Sequence, residues 1–214
     1  MSDTHVLRCF GEALAGRTER DIDWRAPRVV YVRSGSVSLR SAGQVVTLSA
    51  NSAWFGTDAV RITSGANGAE VLEWELALIG AQAPKRSPLL ESNITLDPSA
   101  RYLMRCDRVD FPIGGIAYTH THRGPGIRCV LLGEITVKVG GTEHRRRPGE
   151  AWFEAGPDPV LALASEHEPT SFARVMILPL ELRGMSSIKY VLPEDQDKPK
   201  RQAYQLFVDD PIDP

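Results

Sequence analysis

The sequence predicts an all-β protein, of sandwich or barrel type, that contains two copies of one unit. Turn residues recur every few positions, and the segments between them are short, rich in β-branched residues and often alternating. Examples of such segments are residues 28–40, 44–50, 134–140 and 172–180. Helical periodicity is confined to 6–16, which could form a short helix. Without a βαβ rhythm or a helix-turn-helix pair, we expect neither a Rossmann domain nor a DNA-binding module.

An internal repeat carries the prediction of two copies. One gapless offset of 98 residues, the difference between positions 35 and 133, superimposes two turn glycines and an Ala-Trp-Phe triplet. The matches are Gly35 with Gly133, Gly43 with Gly141, and 53–55 with 151–153. Strand character matches between them as well. Repeats of this kind indicate duplicated structural units.

The repeat divides the chain into an N-terminal lobe at 1–84, a C-terminal barrel at 85–185 and a C-terminal tail at 186–214. The segment 80–93 contains two prolines and a charge pair, so it is the predicted linker. The strand-like "YQLFV" of the tail could add to a sheet edge. It would then either pack on its own barrel or exchange across a dimer.

Composition excludes several classes of partner. The chain has 214 residues and a formal net charge of −2, so we expect no nucleic-acid partner and no membrane partner. Its three cysteines form no CxxC pattern, which is typical of a reducing cytoplasm rather than a disulfide framework or a zinc cluster. A signal peptide and an apolar run of membrane-spanning length are not visible. A cytoplasmic protein is the expectation.

The stretch "GGIAYTHTHRGPGIRCVLLGE", 114–134, holds the most specific chemical signal. His120 and His122 are two residues apart, and in a β-strand such residues point to the same face. Two imidazoles on one face can begin a metal site. The equivalent positions of the first copy are Ile22 and Trp24, so only the second copy carries this pair.

These residues resemble the first motif of the cupin superfamily, in which a glycine, two histidines and a later glycine have this spacing. The segment "RRRPGEAWFEAGPDPV", 145–160, resembles the second cupin motif. With the repeat, the chain resembles a bicupin. The implied fold is two tandem double-stranded β-helix (jelly-roll) barrels, followed by the tail. The family's metal ligands are the two histidines, a glutamate and a third histidine. Here the last two positions fall on Gly126 and Val160, so half of the ligand set is missing.

Glu154 is a candidate replacement ligand, because it lies in the second motif and its partner in the first copy is Gly56. Two histidines and one carboxylate suffice for Fe, Mn, Ni or Zn. The predicted metal site is therefore His120, His122 and Glu154. Two alternatives stay open: Glu154 is a surface carboxylate, or the barrel has lost its metal.

Polar residues that replace apolar ones of the first copy are candidate substrate-binding residues. Arg128 aligns with Val30, and Arg146 aligns with Leu48. Tyr118 lies two residues before His120 and therefore on the same face of a regular strand. His144, aligned with Val46, is a further candidate. These exchanges predict a wet, cationic cavity in the second lobe and a closed, apolar interior in the first. For Arg146, His144 and Arg128 the alternative is an exposed edge strand. For Tyr118 the alternative is an aromatic side chain of the barrel wall.

The leading functional hypothesis is a metal-binding bicupin acting on, or binding, a small anionic metabolite such as a carboxylate. By resemblance it could be a dioxygenase, decarboxylase, isomerase or lyase. The alternative is a non-catalytic sensor or carrier with a degenerate metal site, and a third is a structural role. Exposed sheet edges and the strand-like tail favour a homodimer.

Overall fold

The computed structural model describes residues 3–80 and 86–213, and the all-β prediction is confirmed. In these two described ranges, seventeen strands and two short 3₁₀ turns make up the regular structure. The strands are β1 Asp3–Leu14, β2 Glu19–Ile22, β3 Arg28–Ser41, β4 Gln44–Ser49, β5 Ser52–Gly56, β6 Val60–Leu78, β7 Leu90–Leu96, β8 Tyr102–Phe111, β9 Ile116–His122, β10 Gly126–Leu132, β11 Ile135–Val139, β12 Thr142–Arg146, β13 Ala151–Glu154, β14 Val160–Ala164, β15 Thr170–Pro179, β16 Ile188–Tyr190 and β17 Ala203–Ile212. The 3₁₀ turns are Leu180–Leu182 and Pro193–Asp195. No helix in the described ranges has the length and hydropathy of a membrane span.

The chain forms two compact units, which divide after Ala100. The first has one sheet in the order β4-β3-β6-β1-β7, with β2 and β5 paired to β6 and β3. Strand β7 pairs with β1, so residues 90–96 belong to the first unit although we expected the boundary at 84. Part of the predicted linker, 81–85, lies outside the described residues.

The segment that could form a helix, 6–16, is largely strand β1. Its residues pair with β6 on one side and with β7 on the other, and side chains of both faces are buried, including Leu7, Cys9 and Phe10. A strand buried on both faces has a nearly continuous apolar sequence, which short-range periodicity does not separate from a buried helix.

The second unit has two five-stranded sheets. Their orders are β13-β10-β15-β8-β17 and β12-β11-β14-β9-β16. One hydrophobic cluster takes Val130, Trp152 and Phe172 from the first sheet and Ile135 and Val160 from the second, so the core lies between the sheets. The tail packs on its own barrel, which is one of the two arrangements that we considered. Strands β16 and β17 extend the two sheets of this same unit.

The two units repeat the same strand register around their central strands. In the first unit, Val30 of β3 lies opposite Trp54 of β5 and Glu73 of β6. In the second, Arg128 of β10 lies opposite Trp152 of β13 and Arg174 of β15. The offset of 98 residues therefore corresponds to equivalent places in two ladders. By this register, and not by the offset, Glu73 of β6 is the counterpart of Arg174 of β15.

The interior of the first unit is not uniformly apolar, which corrects the expectation of a closed, apolar lobe. Arg28, Glu73 and Glu75 are fully buried. Arg28 Nε donates to Glu73 at 3.1 Å, and Trp24 Nε1 donates to Glu75 at 3.0 Å. Burying these charges is tolerable because each carboxylate is paired with a guanidinium.

Candidate functional site

The two histidines of β9 lie inside the second unit, with their rings close together. His120 and His122 are 5% and 4% exposed, respectively. Their Nε2 atoms are 3.2 Å apart and their rings are nearly perpendicular. The prediction that both side chains share one face is therefore met.

Hydrogen bonds fix the protonation of the pair. His120 Nδ1 lies 2.7 Å from the carbonyl oxygen of Tyr118, so Nδ1 carries the proton and Nε2 presents a lone pair. His122 Nε2 must then donate to His120 Nε2. The other nitrogen, His122 Nδ1, accepts from the hydroxyl of Ser187 at 3.3 Å. This assignment follows from the donors and acceptors available.

Glu154 is directly opposite Gly126 across the β10–β13 ladder. It is 8% exposed and points inward, with Oε2 lying 3.6 Å from His122 Nε2. The position where the resemblance calls for a glutamate therefore has no side chain, while the neighbouring strand supplies a carboxylate. A Cβ at Gly126 would lie 2.5 Å from the carbonyl oxygen of Val175, so packing excludes a side chain there.

Arg128 faces the same interior and pairs with Glu154. Its Nη2 lies 2.7 Å from Glu154 Oε2, and its Nη1 donates to the carbonyl of Gly126 at 2.7 Å. Trp152 Nε1 holds the other carboxylate oxygen at 2.8 Å. The Arg128 Nη2 to Glu154 Oε2 contact lacks hydrogen-bond alignment, and neither of these buried atoms has a hydrogen-bond partner among the described residues. Burial lowers the pKa of Arg128 to about 10.

A second buried ion pair, which the sequence analysis did not find, adjoins the first. Arg174 of β15 lies opposite Asp107 of β8. Its Nε and Nη2 donate to the two carboxylate oxygens at 2.6 and 3.1 Å. Burial alone would lower the pKa of Arg174, but the charge and hydrogen bonds of Asp107 raise it overall. The two arginines are therefore charged, and each is matched by a carboxylate.

The histidines are neutral. Burial lowers the pKa of His120, although its hydrogen bond to the Tyr118 carbonyl opposes this. Burial, followed by the charges of Arg128 and Arg174, lowers the pKa of His122 well below its usual range. Neutral imidazole is the form that binds a metal ion.

Two adjoining cavities give the site its shape. The inner one, about 20 Å³, is lined by His120, His122, Arg128 and Glu154 among others, and it has room for about one water molecule. The outer one measures about 330 Å³ and is lined by Arg105, Asp107, Arg174, Gly184, Met185, Ser186, Ser187, Ile188, Tyr190, Tyr204 and Leu206. Arg174, Ile188 and Tyr204 line both cavities.

Tyr118 does not face these cavities, which corrects its predicted place beside His120. Between Ala117 and His120, β9 has one residue more than β14 has between Ala162 and Val160. This bulge reverses the alternation, because an extra residue shifts the following side chains to the other face. Lys198 instead lies over the Tyr118 ring, at 4.8 Å from its centroid. The carbonyl of Tyr118, not its hydroxyl, serves the site.

Arg146 and His144 also lie apart from the two cavities. Both are on β12, the outermost strand of its sheet. His144 is exposed, and Arg146 is half-buried with its Nη1 donating to the carbonyl of Arg145 at 3.3 Å. The structure favours the alternative reading of an edge strand with charged side chains.

The residues missed by sequence reasoning are Asp107, Arg174, Ser187, Tyr190 and Tyr204. A signal existed for one of them, because Arg174 interrupts the apolar run "FARVMILPL". The tail residues Ser187, Tyr190 and Tyr204 had no such signal, since their place depends on where β16 and β17 pair.

No protein-family model and no curated protein matches the sequence. Solved structures match the fold at low identity. The oxalate decarboxylase of Lactobacillus farciminis has a TM-score of 0.66 at 12% identity, covering 91% of this chain and 82% of its own. AerE from Microcystis aeruginosa has a TM-score of 0.62 at 13% identity, covering 82% and 88%. A salicylate 1,2-dioxygenase from Pseudaminobacter salicylatoxidans has a TM-score of 0.57 at 12% identity, covering 86% and 74%.

The chain has the cupin fold. At these identities the likeness concerns the fold alone, and one fold hosts many functions. What the site of this cupin-fold protein can do must therefore be argued from its own side chains.

The donor set fits a divalent metal ion in chemistry, although it is not a closed metal centre. Within 3–80 and 86–213, no three His, Cys, Asp or Glu side chains form a ready-made metal cluster. Two neutral imidazoles nevertheless converge through Nε2, and the nearest carboxylate oxygen, Glu154 Oε2, is buried without a hydrogen bond. Two nitrogens and one oxygen are a common set for Fe, Mn, Ni or Zn. Glu154 would have to turn from Arg128 toward the ion.

Proposed function

We propose that the C-terminal barrel binds a small organic anion in its outer cavity and acts on it with a divalent metal held by His120, His122 and Glu154. The observation that carries this proposal is the junction of the two cavities. A cavity large enough for a small metabolite shares Arg174, Ile188 and Tyr204 with a water-sized cavity where both histidines and a carboxylate meet. Pockets of about 300 Å³ and larger bind small ligands.

The residues of the barrel prepare this site in specific ways. Metal binding through His122 Nε2 requires the ring proton to move to Nδ1. That nitrogen then donates a hydrogen bond to the hydroxyl oxygen of Ser187. A hydroxyl can donate or accept, so Ser187 supports His122 in either state. The Tyr118 carbonyl keeps the proton of His120 on Nδ1. A bound metal would supply Lewis acidity to polarise an oxygen of the substrate.

Several classes of reaction are compatible with the proposed site. Proteins of this fold include ones described as an oxalate decarboxylase and a salicylate 1,2-dioxygenase, both of which are named for carboxylated substrates. A decarboxylase, dioxygenase, isomerase or lyase acting on a carboxylate is compatible with a metal beside Arg174, whose side chain lines both cavities.

A second candidate, a non-catalytic sensor or carrier, is favoured by one observation. Arg128 Nη2 already contacts the oxygen of Glu154 that faces the histidines. If this ion pair persists, the barrel holds only two metal ligands, and the outer cavity binds its ligand without chemistry.

Metal analysis separates the two candidates. The protein is purified without chelator, and its metal content is measured by plasma mass spectrometry. For the enzyme we expect nearly one Fe, Mn, Ni or Zn per chain, lost in the double variant His120→Ala/His122→Ala. The matched control, His144→Ala/His167→Ala, removes two exposed histidines and should keep the metal. Unchanged metal content in the His120/His122 variant would refute the assigned ligands, and a metal-free protein that binds a carboxylate would support the carrier.

A further inference from the structure

The outer cavity has a wall that the C-terminal tail supplies. Six of its eleven lining residues belong to the tail, 186–214, and two more, Gly184 and Met185, immediately precede it. The tail is therefore not a surface addition to the barrel. Its side chains define which ligand the cavity accepts.

Arg105 holds the two ends of this wall together and is largely occupied by bonds within the protein. Its Nε and Nη2 pair with Asp209, while Nη1 and Nη2 donate to the carbonyls of Met185 and Leu182. The amide of Gly184 also donates to Asp209 at 2.7 Å. Four of the five N–H groups of Arg105 are thus used within the protein.

Arg174 has more unused N–H donors than Arg105. Asp107 takes its Nε and Nη2, and in the described part of the chain its Nη1 has no hydrogen-bond partner. The Arg174 side chain is 6% exposed and lines both cavities. A buried guanidinium with one free N–H face is suited to a carboxylate oxygen, since charge-assisted hydrogen bonds are the strong ones.

The remaining lining is largely apolar and includes two aromatic rings. Met185, Ile188, Tyr190, Tyr204 and Leu206 contribute it. Tyr204 and Leu206 are 47% and 52% exposed, so a ligand with a flat apolar body would cover apolar surface that is otherwise in contact with water.

The charges around the cavity favour an anion with a single charge. The Arg105–Asp209 and Arg174–Asp107 pairs are each neutral. One further cation, Lys200, lies 4.4 Å from the centroid of the Tyr190 ring. Its ammonium donates to main-chain carbonyls, and among the described residues it has no carboxylate partner. Lys200 thus places a positive charge against Tyr190, a residue of the cavity wall, and this charge attracts an anion.

We infer that the outer cavity selects a monocarboxylate with a flat apolar body, such as an aromatic acid. Arg174 Nη1 donates to the carboxylate, and the body lies against Tyr190, Tyr204 and Leu206. This inference deepens the proposed small-molecule site and rests on it, but it does not require a metal. It assigns the anion contact to Arg174 rather than to Arg128, whose guanidinium faces the water-sized inner cavity.

Calorimetric titration of chelator-treated protein tests the ligand class with four probes. Benzoate carries both features, benzamide has the body without the charge, acetate has the charge without the body, and isophthalate has two charges. We expect benzoate to bind at least about tenfold more tightly than each of the others, as loss of a charged hydrogen bond or of the buried ring would weaken binding. Equal affinity for benzoate and benzamide, tighter binding of isophthalate, or no binding of benzoate would overturn the inference.

Variants of Arg174, the proposed contact for the carboxylate, complete the test. Arg174→Met should weaken benzoate binding at least about tenfold and leave benzamide binding unchanged. This variant leaves the buried carboxylate of Asp107 without its cation. The double variant Arg174→Met/Asp107→Asn therefore serves as a second form with no buried unpaired charge. Arg123→Met, at an exposed arginine paired with Glu181, is the matched control and should bind benzoate as the parent does. Undiminished benzoate binding by the folded double variant would contradict the role of Arg174. All these variants keep His120 and His122, so their metal content before chelation tests the proposed metal site separately.

Discussion

Gly126 and Glu154 face each other across the β10–β13 ladder, and the absence of a side chain at one is matched by an inward carboxylate at the other. A side chain at 126 would collide with the backbone of β15, whereas Glu154 enters from the neighbouring strand. The two positions therefore act together: the close approach of β15 leaves no room for a ligand on β10, and β13 supplies one.

Gly126→Ala should destabilise the second unit. The new Cβ would lie 2.5 Å from the Val175 carbonyl oxygen and 2.7 Å from Met176 Cγ, so the strands must move apart. Overpacking of this kind costs about 1–3 kcal/mol, measurable by urea unfolding. Gly11→Ala is the control, because its nearest contact is the end of the flexible Leu89 side chain, at 2.9 Å. An equal or smaller loss for Gly126→Ala would contradict this account of the glycine.

Arg128 and Glu154 should be strongly coupled in stability. Arg128→Met leaves a buried carboxylate without its cation and should cost about 3–5 kcal/mol. Adding Glu154→Gln, which can still accept from Trp152 Nε1, should recover much of that loss. A double-mutant cycle from urea unfolding of metal-free protein measures the coupling. Additive losses would mean that the 2.7 Å contact contributes no interaction energy.

The fold was predictable because the repeat and the strand patterns agreed over most of the chain. The inward faces of His120, His122, Arg128 and Glu154 followed from the two-residue period of a strand. That same rule failed for Tyr118, since a bulge in β9 changes the alternation and leaves no mark in the sequence.

Other parts of the site depend on pairings far apart in the chain. Arg174 meets Asp107 because β15 pairs with β8, and an isolated charge in an apolar strand does not name its partner. The wall of the outer cavity depends on where the tail docks. The same holds for the first unit. Glu73 and Glu75 are buried and pair with Arg28, and the offset of 98 residues does not predict this pairing.

Stability should depend on pH above about 8.5 through a buried thiol. Burial, reinforced by Asp107, raises the pKa of Cys106 well above its usual value, so the folded protein keeps the proton while the unfolded chain loses it. The unfolded state then binds fewer protons, and stability falls as pH rises, by up to about 1.4 kcal/mol per pH unit. Urea unfolding of the parent and of Cys106→Ala between pH 8 and 10 measures the difference. Parallel pH profiles would show that the thiol ionises equally in both states.

Glu73 should be essential to the first unit, although its counterpart in the second is an arginine. It is fully buried and pairs with Arg20, Arg28 and Arg86. Glu73→Gln keeps the shape but removes the charge that compensates the fully buried Arg28, so we expect a loss of about 3–5 kcal/mol. Glu143→Gln, at an exposed pair with Lys138, is the control and should change the free energy of unfolding little. If Glu73→Gln lost no more than the control, the buried network would not be needed to hold Arg28 in the interior.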